Sequence, residues 1–155
     1  MSRGARPTLS VVVPSYNHAR FVRQALESVL AQDYRPLELV VVDDGSTDDS
    51  VEVIRATITD HRLDSVRFER QDNRGAHHAI NRGLELASGE YLTVLNSDDV
   101  YDASRLNRLM PRAAEAGAGV VFSGVRFIDE HGAPLAGDSA WPAWYGRGLA
   151  ETEDL

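Results

Sequence analysis

Leu39-Val40-Val41-Val42 is an unbroken apolar run that stops abruptly at Asp43-Asp44-Gly45-Ser46-Thr47-Asp48. It lacks the polar alternation of a half-exposed strand. A strand formed here must be covered on both faces, as in a parallel sheet with helices on either side. The carboxylates then emerge at its C-terminal end, where open α/β sheets bind their ligands. Tyr91-Leu92-Thr93-Val94-Leu95 followed by Asn96-Ser97-Asp98-Asp99 repeats the arrangement. Two acidic clusters at two strand ends point to a site for a nucleotide and a metal.

The rest of the chain alternates between strand and helix periods. Leu9 to Val13 reads as a buried first strand stopped by Pro14. Phe21, Val22, Ala25, Leu26, Val29 and Leu30 recur at helical spacing, with Asn17 placed to cap the helix. After the strand Leu37–Val42, Ser46 or Thr47 can cap a short helix whose inner face carries Val51, Ile54 and Ile58. Val66 to Arg70 alternates like an edge strand. A third helix carries Ala76, Ala79, Ile80, Gly83, Leu84 and Ala87, with Gly89 in the place of a C-terminal cap. Ser104 to Ala116 is helical in pattern with Pro111 predicting a kink or restart, and Gly119 to Ile128 reads as a strand turning at His131-Gly132. Four strand–helix alternations predict an open, mostly parallel α/β sheet flanked by helices.

Composition narrows the chemistry. All 16 basic residues are arginine, so a Walker-type phosphate site and Schiff-base catalysis, both of which need lysine, are excluded. The chain has no cysteine, which removes disulfides and thiolate metal sites. A net charge of -8 argues against nucleic acid as a partner. No apolar run approaches the ~20 residues that span a bilayer, and the first residues lack a secretory h-region, so a cytoplasmic location is expected, including the cytoplasmic face of a membrane.

Position matters more than composition. Pro14-Ser15-Tyr16-Asn17 follows the first strand, Asp43-Asp44 the second, Asp72-Asn73-Arg74-Gly75 the third and Asn96-Ser97-Asp98-Asp99 the fourth. Each group alone suits an ordinary turn or helix cap. Together they converge on one edge of a parallel sheet. Asp44 can accept from an imide N–H or ribose hydroxyls, Tyr16 can lie against a base or contact a phosphate, and Arg74 can pair with a phosphate. Asp98 is a hard oxygen ligand suited to Mg²⁺ or Mn²⁺. His77 and His78 are adjacent, so on a helix they should diverge and not both line one site. Asp48 and Asp49 fit a helix N-terminus.

The segments Ser10–Asn17, Val41–Asp48 and Gly89–Asp99, with Asn73-Arg74-Gly75 and Ala79–Gly83 between them, closely resemble the nucleotide-binding half of family 2 glycosyltransferases over about residues 8 to 130. The resemblance implies a GT-A, Rossmann-like fold, a single donor-binding domain over residues 1–155, and inverting transfer of a sugar from a nucleotide-diphosphate donor. It implies that Pro14, Ser15 and Tyr16 border the nucleotide, that Asp44 reads the base with Asp43 in support, and that Asn96 and Ser97 lie beside the donor. The family's Asp-x-Asp metal motif falls on Asn96-Ser97-Asp98, which leaves Asp98 as the ligand of Mn²⁺ or Mg²⁺. A UDP- or dTDP-linked sugar is the expected donor, and a saccharide, lipid or protein the acceptor. The acceptor half and its catalytic carboxylate base are expected beyond residue 155, and neither Asp129 nor Glu130 has the context of a base. Apolar surface left for that half, with Trp141, Trp144 and Tyr145, also makes self-association an expectation.

Three other classes compete. A non-catalytic donor-binding module would keep the nucleotide site and transfer nothing. A sugar-phosphate nucleotidyltransferase needs a glycine-rich loop with a basic residue after the first strand, and a phosphoacceptor receiver domain needs its acidic pair at the first strand and a later lysine. The sequence has neither pattern.

Overall fold

The computed structural model describes residues 6–60, 65–117 and 119–135. The chain divides into two units, Met1–Val120 and Val121–Leu155. In the first unit the order is β1 (Leu9–Ser15), α1 (Val22–Leu30), β2 (Leu37–Asp43), α2 (Ser50–Asp60), β3 (Val66–Arg70), α3 (Ala76–Leu86), β4 (Tyr91–Val94) and α4 (Arg105–Ala116). The strands form one sheet in the order β3-β2-β1-β4, with every pairing parallel. The two most apolar strands, β1 and β2, take the centre and are buried at every position.

Strand alternation divides the core into two layers. Leu9, Val11, Val13, Leu37, Leu39 and Val41 face a cluster that includes Val22, Leu26 and Val29 of α1, Ile54 of α2, and Leu106 and Met110 of α4. Val12, Val40 and Val42 face Ala79 of α3 on the opposite side. Each fully buried aliphatic side chain contributes about 1.5–3 kcal/mol, so these central strands anchor the unit. A Cβ on Gly83 would lie 2.2 Å from Val12 Cγ1, which explains how α3 comes so close to β1.

The amino-terminal end of the sheet is tied by one buried carboxylate. Glu38 accepts from Ser10 Oγ, from Ser88 N–H at 2.7 Å and from Ser88 Oγ at 3.1 Å, and Arg67 lies 3.3 Å away. Ser10 Oγ in turn accepts from Gly89 N–H at 2.8 Å. Three strands and the segment just before β4 therefore share this network, which fixes the approach to β4.

Several local expectations are corrected. β1 does not stop at Pro14 but pairs it with Val42 and ends at Ser15. Val12 O accepts from Leu95 on the β4 side, so Pro14 turns its missing N–H the same way, where β4 has already ended. Neither Ser46 nor Thr47 caps α2, which begins at Ser50. Gly89 does not close α3, whose C-cap is Ala87 in an extended conformation; Gly89 packs on Ser10 instead. Pro111 lies inside α4. Residues 119–128 form no strand, and in the second unit an isolated bridge joins Ile128 to Pro134 around the turn at Asp129. An apolar run becomes a strand only with a continuous ladder partner, and among the described residues this run has only the bridge at Ile128. Trp141, Trp144 and Tyr145 lie outside the described residues.

Candidate functional site

The loops after β1 and β2 are stapled together by short polar side chains. Asn17 adopts a left-handed backbone conformation, with φ of 52°. Its Oδ1 accepts from Thr47 N–H at 2.8 Å, and its own N–H donates to Ser46 Oγ at 2.9 Å. Asn17 is therefore a cross-loop clasp, whereas α1 is preceded by Phe21 with no side-chain cap. His18 N–H donates to Ser50 Oγ at 2.9 Å, and Ala19 N–H to Asp48 Oδ2 at 3.0 Å. Asp48 Oδ1 accepts from Ser50 N–H and Ser50 Oγ, so this carboxylate serves both the start of α2 and the loop after β1. Asp43 is fully buried and accepts from Ser46 N–H and Ser46 Oγ, with Arg70 Nε 3.5 Å away.

Asp44 organises the next junction. Its Oδ1 accepts from Gln71 Nε2 at 2.6 Å and from Arg74 N–H at 3.0 Å, and its Oδ2 from Gly75 N–H at 2.7 Å. Burial alone would raise the Asp44 carboxyl, but these hydrogen bonds and the nearby His78 outweigh it and hold the group below the ordinary aspartate range. Gly45, with φ of 75°, lets the two loops touch, because a Cβ there would lie 2.8 Å from Asn73 N. Arg82 is tied to Glu69 and Glu85, whereas the Arg74 side chain is exposed. Gln71, Arg74, His78 and Asn81 line a shallow polar groove along α3. The His77 and His78 rings do not diverge as expected, since their centroids are 4.4 Å apart.

The loop after β4 is anchored from beneath. Leu95 N–H donates to Val12 O, and Tyr101 N–H to Ser28 Oγ at 3.0 Å. The buried Gln32 amide donates to Asp102 O at 2.9 Å and accepts from Leu106 N–H at 3.1 Å. Ser97 is buried, and its Oγ lies 2.7 Å from His18 Nδ1. Asn96 Nδ2 donates to Asp99 Oδ2 at 3.1 Å. Asp98 is exposed, and among the described residues no hydrogen bond or ion pair engages its carboxylate.

The structure thus brings Pro14, Ser15 and Asp43, at the ends of β1 and β2, and Tyr16, Asp44, Arg74, Asn96, Ser97 and Asp98, in the loops that follow the strands, to the carboxyl end of one sheet. Their settings differ. Asp43 and Asp44 are buried builders of the turns, Tyr16 is 43% exposed, and Ser15 Oγ is buried without a hydrogen-bond partner among the described residues. Asp129 instead holds its own turn, accepting from His131 N–H and Ala133 N–H. No group of three or more His, Cys, Asp or Glu residues clusters as a complete metal cage among the described residues. The exposed Asp98 carboxylate, without a partner among the described residues, nevertheless fits a hard cation such as Mg²⁺ or Mn²⁺, which takes one or two protein carboxylates and completes its shell from water and substrate phosphates.

Asn17, His18, Ser50 and Gln71 carry positions in this network that the sequence pattern did not assign. A signal for one of them, Ser50, was present. The run Asp43–Ser50 holds four aspartates, two serines and a threonine, more short polar groups than one turn and one helix start require.

Residues 10–153 match the model of glycosyl transferase family 2. The glycosyltransferase GlyG of Streptococcus pneumoniae serotype 4 is 39% identical over 124 residues, covering 79% of this chain and 40% of GlyG. The mannosyltransferase PcManGT of Pyrobaculum calidifontis, solved with GDP-Man and Mn²⁺, superposes with a TM-score of 0.63 at 32% identity, over 66% of this chain and 31% of that one. Residues 1–349 of TarS from S. aureus, solved with UDP-GlcNAc, give a TM-score of 0.64 at 27% identity, over 70% and 31% of the two chains. The fold is therefore that of a GT-A glycosyltransferase. The chain belongs to glycosyl transferase family 2. It spans 40% of the length of GlyG and 31% of each solved neighbour.

Proposed function

We propose that this chain binds the donor in an inverting glycosyl transfer, holding a nucleotide-diphosphate sugar and a divalent metal at the shared rim of β1, β2, β3 and β4. The observation that carries the reading is the exposed Asp98 carboxylate, without a partner among the described residues, on a loop that is otherwise fastened down. Pro14, Ser15 and Tyr16 border the nucleotide. Asp44 reads a UDP- or dTDP-type base through the acceptor capacity left on Oδ2, and Asp43 supports it through Ser46. Arg74 approaches the diphosphate, and Asn96 and Ser97 flank it.

Asp98 would hold the Mn²⁺ or Mg²⁺, which when bound neutralises negative charge on the departing diphosphate. The cross-loop hydrogen bonds keep these groups in place before the donor arrives, so little ordering remains to be done on binding. Inversion also needs a carboxylate within hydrogen-bond reach of the acceptor hydroxyl. We assign that base to an acceptor-binding half distinct from the donor site, with a saccharide, lipid or protein as acceptor.

Calorimetric titration of the chain with UDP, dTDP and GDP in the presence of Mn²⁺ tests this reading. Binding of UDP or dTDP in preference to GDP is expected. Preference for GDP would overturn the base assignment, and no binding by any of the three would overturn the donor site.

A further inference from the structure

We propose that His18 is a positioning residue of the donor site: its ring holds Ser97, and thereby the loop bearing Asp98, in the geometry that a divalent cation and a diphosphate require. The inference rests on the donor-site reading above. His18 comes from the loop after β1 and Ser97 from the loop after β4, and the 2.7 Å contact joins segments 79 residues apart. Both ends of the contact are themselves constrained. The His18 N–H is held by Ser50 Oγ, which Asp48 holds in turn, and the ring meets Phe21 edge-on with centroids 6.2 Å apart. Ser97 is buried, so its hydroxyl depends on a protein partner rather than on bulk water.

Ser97 lies between Asn96 and Asp98 in the sequence. Asn96 is occupied by Asp99, and the Asp98 side chain has no hydrogen bond of its own among the described residues. The position of the Asp98 carboxylate is consequently set by the backbone that the Ser97 hydroxyl pins. Partners of this kind, which orient a ligand without touching the metal, typically govern metal affinity strongly. His18 also hangs on the same Asp48–Ser50 pair that fixes the loop after β1, so one chain of hydrogen bonds links the nucleotide-bordering loop to the metal-bearing loop.

The test compares wild type, His18→Phe, His18→Asn and Ser97→Ala in the full chain. Phenylalanine keeps the ring contact with Phe21 and removes the ring nitrogen, whereas asparagine places an amide atom where Nδ1 lies. His18→Phe and Ser97→Ala should each lower the Mn²⁺-dependent affinity for UDP by about 10- to 100-fold. Their combination should add no further loss, His18→Asn should recover most of it, and metal-free UDP binding should be unchanged in His18→Phe. In the ligand-free chain, ¹⁵N relaxation of residues 96–99 should show added mobility in His18→Phe and not in His18→Asn. Wild-type and His18→Phe chains with equal metal-dependent affinity would overturn the inference and leave the donor site standing. So would a His18→Asn chain as weak as His18→Phe. A wild type that binds no nucleotide would overturn the donor site and the proposed role with it.

Discussion

Asp44 Oδ2 accepts the Gly75 N–H at 2.7 Å, joining the end of β2 to the start of α3 across 31 residues. The second carboxylate of the Asp-Asp pair thus shapes the loop after β3 before it meets any ligand. Its three donors, Gln71, Arg74 and Gly75, all come from that loop. Asp44→Asn would turn an amide toward N–H donors and leave at least one of them unpaired. A stability loss of about 1–3 kcal/mol, measured by urea unfolding, is expected together with loss of UDP binding. Retained stability and retained binding would show that the junction does not depend on this carboxylate.

Glu38 makes stability depend on pH at the opposite end of the sheet. Burial alone would raise its carboxyl, but hydrogen bonds from Ser10 and Ser88, with Arg67 beside it, outweigh burial and hold it below the ordinary glutamate range. A folded pKa below the unfolded one gives stabilisation that is complete above the unfolded value and is lost as pH falls toward the folded value. Wild type should therefore lose stability on acidification through the carboxylate range. Glu38→Gln should flatten that acid limb and cost about 1–3 kcal/mol at neutral pH, because one acceptor oxygen replaces two. Unfolding curves across the acid range decide it, and an unchanged acid limb would contradict the assignment.

Gly83 sets how closely α3 approaches the sheet. Alanine is the better helix former by about 1 kcal/mol. Its Cβ would fall 2.2 Å from Val12 Cγ1 in the buried core, and overpacking of that kind costs about 1–3 kcal/mol. Gly83→Ala should accordingly lower Tm despite the helix propensity. Combined with Val12→Ala, the two losses should be less than additive, since the second change removes the atom that clashes.

The parallel sheet was legible because Leu39–Val42 and Val11–Val13 have no polar face to show to water, so only a doubly covered central position accommodates them. The convergence of the polar clusters followed from strand direction alone. The roles within them did not. Asn17 reads as a helix cap from its local sequence, yet its partner is Thr47, and His18 carries no local mark of its bond to Ser97. Both roles are set by how neighbouring strand ends are spaced, a tertiary fact. Residues 119–128 failed for a related reason: β periodicity describes a face and does not supply the partner that makes a strand.

The most direct test of the donor site is calorimetric titration of UDP with and without Mn²⁺, in wild type and in Asp98→Ala. The Asp98 side chain is exposed and makes no hydrogen bond among the described residues, so the substitution should leave Tm unchanged. Wild type should bind UDP more tightly with Mn²⁺, and Asp98→Ala should lose that gain. Equal enhancement by Mn²⁺ in both chains would contradict the assignment of Asp98 and, with it, the site proposed for the donor.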